Sequence, residues 1–388
     1  MNYTMNIIDQ IRESIEIKNN FFSPNLSDDK ILSLKETSHA FLNASSYNEL
    51  EDHAREMIQT ILNIHDKATR LSPTIESMRL YEIYKEYDYE KQRLHFPHLV
   101  NVYLLGLYIY HNFSRVKRLI DNRIRMTRNK ITLPGLPYSF EYSGNNVEGE
   151  FQYRWRLASL CHDIAYPIEL CYGNKEKLNN YFLKLRAAIS TKISSLEDIY
   201  QFRDNNLLTE LDTSIPSILL RLYIDYQGKK PSSGMIYHDH GIFSALLFLR
   251  LMHEQFSNYT QLLTERDDGS LIITHPILLH GPIVYIAKAI AMHNLDNDEN
   301  ALNYSTLKIK KVYNLHTNSL TWLLKISDEL QEWYKPEKNI IKMSDTNLII
   351  DFTNNSILVE NYPEKKGNNL KNKFKKFYHP LDIIKFNK

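Results

Sequence analysis

A chain of 388 residues with 47 Lys and Arg against 46 Asp and Glu carries a formal net charge of +1, too weak a field to hold nucleic acid or an anionic membrane by charge alone. Hydrophobic residues at 43% and charged residues at 24% are the mix of a folded rather than a disordered chain. The 11 glycines are under half the usual ~7%. Neither GxGxxG nor GxxxxGK followed by Ser or Thr occurs, which excludes the glycine loops that cradle nucleotides in Rossmann and P-loop folds.

Two cysteines, Cys161 and Cys171, build neither a disulfide framework nor a four-cysteine zinc site. The first twenty residues lack a basic segment followed by an apolar run, so no secretory signal is expected. Apolar stretches such as Val102–Tyr110 and Ala245–Leu249 fall far short of the ~18 residues that span a bilayer. The longer Leu271–Met292 is broken by His275, Pro276, His280, Pro282 and Lys288. A cytoplasmic, membrane-free protein is the expectation.

Most of the chain shows helical periodicity. Residues 1–80 read as a polar helical extension, in which Glu49–Ile64 places Leu50, His53, Ala54, Met57, Ile58 and Ile61 on one side. Ser72, Pro73 and Thr74 punctuate before the next helix. From Arg93 to Tyr110 the steps of three and four put His95, His98, Val102, Leu105 and Ile109 on one face. Residues 129–150 read as a loop or short hairpin. Helices follow near Phe151–Tyr166, Lys175–Ser195 and Pro216–Tyr226, then a linker over Gln227–Gly234. Gly241–Gln255, Pro282–His293 and Leu320–Trp333 are further helices. After Pro336, Leu348–Phe352 and Ser356–Glu360 read as a β-hairpin, followed by a basic stretch, Lys365–Lys376. The fold expected is mainly α over residues 81–335, with a small β-containing extension over 336–388.

Several polar residues interrupt apolar helical stripes, where a polar group without a partner costs a few kcal/mol. His162 and Asp163 are adjacent within RLASLCHDIAYPIE; His98 opens HLVNVYLLGLY; His240 lies in YHDHGIFSALLFLRLM; His293 ends IVYIAKAIAMHN; Asp328 sits inside LLKISDELQEW. Imidazole nitrogens mixed with hard carboxylate oxygens and no thiolate suit Mn, Fe, Zn, Co or Ni. Singly, each residue reads equally well as a satisfied core or surface group. Glu329 and Glu332 read as a solvated face.

The order His98, His162-Asp163, His240, His293, Asp328 resembles the HD superfamily of metal-dependent phosphohydrolases, whose pattern is a His, a His-Asp doublet and a distant Asp, all on helices. The blocks HFPHLVNVYLLGLY, LASLCHDIAYPIE, DHGIFSALLFL, AIAMHN and LLKISDELQEW carry the resemblance over about residues 93–335. It implies an HD-type helical bundle in which His98, His162, Asp163 and Asp328 hold one divalent transition metal, with His240 and His293 available to a second. His238-Asp239 also resembles the His-acid pair of the dNTP triphosphohydrolase branch, but His240, with Ser244 one turn on, matches more members as the ligand. The chain lacks the Gly-Tyr-Pro motif of cyclic-di-GMP phosphodiesterases, and has Ala165-Tyr166-Pro167 where dNTP hydrolases have Gly-His before the Pro.

The chemistry so implied is hydrolysis of a phosphate ester or anhydride, with a nucleotide or another phosphorylated small molecule as substrate and a water whose pKa the metal lowers. Arg93 and Lys325 are the cations near the ligands in sequence, and His238, Asp239 or His95 the candidate acids for the leaving oxygen. Two competing readings remain: an HD-fold module that binds a nucleotide without turnover, and an interaction protein whose basic stretch meets nucleic acid. Self-association is left open.

Overall fold

The computed structural model describes residues 6–23, 26–63, 71–84, 95–127, 147–171, 174–189, 191, 193–195, 240–257, 277–294 and 313–331, together with short strands between 130 and 386 and residue 372. The expected helix Pro216–Tyr226, the linker Gln227–Gly234 and, apart from Asn372, the basic stretch Lys365–Lys376 lie outside the described residues.

The described fold is mainly helical. In chain order the helices are α1 (Ile7–Ile17), α2 (Asp28–Leu42), α3 (Tyr47–Asn63), α4 (Leu71–Tyr84), α5 (His95–Asn112), α6 (Ser114–Thr127), α7 (Val147–Cys161), α8 (Tyr166–Cys171), α9 (Lys175–Ile189), α10 (His240–Ser257), α11 (Ile277–Met292) and α12 (Ser319–Leu330). Four short antiparallel strand pairs accompany them, among them Leu348–Asp351 with Ser356–Val359, which Ile384–Phe386 joins in parallel. No described helix is long and apolar enough to cross a membrane.

Apolar periodicity is what folds these segments. In α3 the stripe Leu50, Ala54, Met57, Ile58 and Ile61 is buried, as its spacing requires. His53, which the spacing assigns to the same side, instead keeps a third of its side chain exposed, 3.9 Å from Glu56. Helix α4 runs through Pro73 rather than starting after it, because a proline in the first turn gives up an N–H that has no helical acceptor anyway. One hydrophobic core runs from Ile7 and Ile11 through Leu99 and Trp155 to Ile326 and Leu330, so the first helices pack on the rest. Polar bonds follow the same path: Lys18 donates to the His111 carbonyl at 3.2 Å and Gln152 to that of Phe21 at 3.0 Å.

At the centre, α5 and α7 cross where a side chain is missing. A Cβ on Gly106 would fall 1.9 Å from Trp155 Cζ2, and the Trp155 indole N–H donates to the Tyr103 carbonyl at 2.9 Å. Glycine therefore sits here for the close approach of an indole to a helix backbone. Helices α5, α7, α10, α11 and α12 pack around this centre. At one end of that group the starts of α5 and α10 meet the finishes of α7, α11 and α12, and the six candidate ligands lie there.

Candidate metal centre

Helix α7 ends at Cys161, and His162–Ala165 form a turn before α8, where the periodicity predicts a helix continuing to Tyr166. The physical reason is Pro167, which has no N–H to close a helical bond to the Asp163 carbonyl and sits instead in the first turn of α8, where none is needed. The turn is pinned by Tyr166 N–H to the Asp163 carbonyl at 2.9 Å and by Ala165 N–H to Ser244 Oγ at 3.0 Å. Neighbours on a regular helix point about 100° apart; leaving the helix lets His162 and Asp163 aim at one place.

The other ligands also stand at helix ends. His98 is in the first turn of α5, His240 is the first residue of α10, His293 follows the last residue of α11, and Asp328 lies in the last turn of α12. The same local device turns two of the imidazoles. His162 Nδ1 lies 2.8 Å from the Ser159 carbonyl and His293 Nδ1 2.7 Å from the Ile290 carbonyl. Both carbonyls belong to the last turn of a helix, where backbone donors run out, although that of Ile290 also receives the His293 N–H at 3.4 Å. A carbonyl only accepts, so each Nδ1 donates, and each neutral ring keeps its lone pair on Nε2. For His240 a carboxylate does the same work: Glu169 Oε2 lies 2.7 Å from both the backbone nitrogen and Nδ1 of His240.

The Nε2 atoms converge on the two oxygens of Asp163. Oδ2 lies 3.5 Å from His98 Nε2 and 3.4 Å from His162 Nε2. Those two nitrogens are 3.1 Å apart, and His98 Nε2 is 3.2 Å from Asp328 Oδ1. On the other side, Oδ1 lies 3.2 Å from His240 Nε2 and 3.5 Å from His293 Nε2. Two groups result that could hold a metal ion, His98–His162–Asp163 and Asp163–His240–His293, joined by the one carboxylate. Their rings meet edge to face, with His162 and His293 centroids 4.9 Å apart.

These spacings test the fit of a divalent cation. Ligand atoms ~2.1 Å from one ion lie ~3.0 Å apart at a right angle and ~3.4 Å apart at a tetrahedral angle. The observed 3.1–3.5 Å falls on that scale. Three nitrogens that carry lone pairs and a carboxylate face one another across those gaps, an arrangement of acceptors against acceptors that a cation relieves. The carbonyl and carboxylate contacts behind them are the usual supports of metal-bound histidine.

The charge states agree. Burial pushes the His162 imidazole down to about 3 against the partial opposition of Asp163, so it stays neutral at physiological pH. Burial by itself raises the Asp163 carboxyl, but the imidazoles of His162 and His240 beside it outweigh that and hold the group well below its ordinary value. Asp163 is a carboxylate here. His98, His162, Asp163, His293 and Asp328 are all buried, while the His240 side chain is 14% and that of Glu169 32% exposed. The site therefore opens on the His240–Glu169 side, where the Tyr166 ring stands edge-on to His240 at 5.6 Å.

All six expected ligands thus come together. The expected assisting groups are another matter. Lys325, proposed as a phosphate-holding cation, is fully buried with Nζ 2.7 Å from Glu329 Oε1 one turn on. Its charge is matched within its own helix, and Glu329, read as part of a solvated face, is its 15%-exposed partner. Arg93, His238 and Asp239 lie outside the described residues, as does the side chain of His95, the first residue of α5. Glu169, Ser159 and Ser244 escaped the sequence reading as functional residues. Glu169 lies in LASLCHDIAYPIE, but its partner is 71 residues away, and only Pro167 signalled the turn that exposes it.

No family model, curated protein or solved structure matches the chain.

Proposed function

We propose that this chain is a metal-dependent phosphohydrolase of the HD type, acting on a phosphate ester or anhydride of a nucleotide or similar small molecule. In this reading residues 81–335 form the HD-type bundle, 1–80 a helical extension and 336–388 a small extension with a β-hairpin. The observation that carries it is the convergence of four imidazole Nε2 atoms on the two oxygens of Asp163, with Asp328 Oδ1 3.2 Å from one of those nitrogens, that of His98. The order of those ligands along the chain supports the HD type.

His98, His162, Asp328 and Asp163 Oδ2 would hold one divalent ion, and His240, His293 and Asp163 Oδ1 a second. Such ions supply a nucleophile at neutral pH, by lowering the pKa of bound water, and positive charge for phosphoryl oxygens. The chain's own residues do the rest. Asp163 divides its two oxygens between the two groups and fixes their separation. Ser159, Ile290 and Glu169 hold three imidazoles in the tautomer that leaves Nε2 open. The buried side of the cluster excludes water, so a substrate approaches past His240, Glu169 and Tyr166. His238, Asp239 or His95, one to three residues before a ligand in the chain, would protonate the leaving oxygen.

The test is a hydrolysis screen of nucleoside triphosphates, cyclic nucleotides and short oligonucleotides in Mn2+, with the full chain and its His162→Ala and Asp163→Ala variants. Turnover lost in both variants supports the reading. Release of inorganic tripolyphosphate selects a triphosphohydrolase, and a linear nucleotide product selects a phosphodiesterase. A protein that takes up metal yet leaves the whole panel intact is instead the module that binds without turnover.

A further inference from the structure

A second collection of charges lies on the same helices, away from the candidate metal ligands. Arg123 on α6, Arg154 on α7, Tyr285 and Lys288 on α11, and Ser319 and Thr321 at the start of α12 line a cavity of about 30 Å³. Three lining residues are cations, and no lining residue among those described is a carboxylate. The Arg154 guanidinium lies 5.4 Å and that of Arg123 6.0 Å from the Tyr285 ring centroid, which positions both side chains. Arg154 also pairs with Glu150 one turn back along α7.

Arg154 is 4% and Lys288 9% exposed, so two of the three cations are held largely away from water. The first-turn amides of α12 add to the positive field, since no helix carbonyl reaches them and the dipole of this 12-residue helix points its positive end here. Arginine forks, a lysine, hydroxyls and helix amides are the donor set that recognises a phosphate group. A single water needs ~10–15 Å³, so a space of about 30 Å³ admits a phosphate group and not a nucleoside. Arg123 and Tyr285 are half-buried, which leaves a mouth from which the rest of a larger ligand can project.

The pocket is separate from the metal centre. At 1.5 Å rise per residue, Lys288 stands ~8 Å along α11 from His293, Arg154 ~12 Å along α7 from His162, and Ser319 ~14 Å along α12 from Asp328. Helices α7, α11 and α12 therefore each carry a pocket residue roughly one to three turns before a candidate metal ligand.

We propose that this cavity is a second site, one that binds a phosphate group and braces the helices carrying the metal ligands. The group comes either from free phosphate or from the phosphate of a small metabolite. The inference does not depend on the hydrolase reading, and its test avoids the metal centre. Calorimetric titration of the full-length, EDTA-stripped protein with inorganic phosphate, pyrophosphate and AMP, with adenosine as control, measures the site. Phosphate or AMP binds with a stoichiometry of one, adenosine does not, and Lys288→Gln and Arg123→Gln each weaken binding at least ~10-fold, as loss of a charge-assisted hydrogen bond requires. Binding stays intact in Asp163→Asn. Tighter binding of AMP than of phosphate selects the metabolite as source, and the reverse selects the free anion. Arg154→Gln is set aside as the primary variant because it strands Glu150. Unchanged affinity in both Lys288→Gln and Arg123→Gln overturns the proposal, as does binding lost in Asp163→Asn or absent for every phosphate.

Discussion

Two regions of α7, α11 and α12 are chemically opposite. At their C-terminal ends, carbonyls and a carboxylate gather imidazoles whose open nitrogens face Asp163. Further back, Arg154 midway along α7, Lys288 in the second half of α11 and the first residues of α12 gather cations and amides around a cavity. Backbone polarity contributes to both. The last carbonyls of a helix lack donors and the first amides lack acceptors, so a helix C-terminus can orient a histidine towards a cation, and the start of α12 favours an anion. Side-chain choice adds to this, with His and Asp in one region and Arg and Lys in the other. On the two proposals above, the bundle would hold two ligands of opposite charge.

Asp163 is where this contrast breaks most completely. Asp163→Asn removes the carboxylate common to both three-residue groups, and divalent-metal uptake and turnover are both expected to vanish.

Glu169→Gln sharpens the comparison within the metal end. It weakens the support behind His240 alone, and loss of such a support costs about 10–100-fold in metal affinity. A two-site titration resolves it: the group with His240 and His293 weakens and the group with His98 and His162 does not.

The crossing that holds the ends in register is tested by Gly106→Ala. Helix propensity favours alanine by up to about 1 kcal/mol. The new Cβ would sit against Trp155, and overpacking of this kind costs about 1–3 kcal/mol. Net destabilisation in urea unfolding is expected, with Trp155 fluorescence shifted. A stabilised variant would show that the helices separate more easily than this packing implies.

His111 is the control histidine, at the far end of α5 from His98. Its Nε2 lies 3.0 Å from the Phe21 carbonyl, and burial, with Lys117 nearby, pushes its pKa down to about 3. A base depressed in the folded state is protonated first in the unfolded chain, so it contributes stability above the unfolded value near 6.5 that is lost as pH falls towards 3. His111→Gln is expected to flatten the acid limb of the stability curve by at most about 1.4 kcal/mol per pH unit, and to leave metal uptake unchanged.

The helices and the six candidate ligands were legible in the sequence because both leave a local mark. Apolar steps of three and four define each stripe, and a His or Asp inside a stripe needs a reason to be there. What was not legible depends on partners distant in the chain. Nothing near Glu169 announces His240, and nothing near Arg123 announces Arg154, Lys288 and the start of α12. The turn at His162–Ala165 was legible in principle from Pro167, but helical periodicity on both sides masked it. Lys325 shows the reverse error: a cation three residues from a ligand looked available to a phosphate, whereas i,i+4 geometry gives it to Glu329.

The central claim is that Asp163 and the imidazoles around it form a seat for divalent cations. Equilibrium dialysis of the EDTA-stripped full chain against Mn2+, Co2+ and Zn2+, with elemental analysis of the retained metal, tests it most directly. Retention of about two ions per chain, falling to none in Asp163→Asn, is the predicted result. Wild-type protein that retains no more metal than Asp163→Asn would contradict the account.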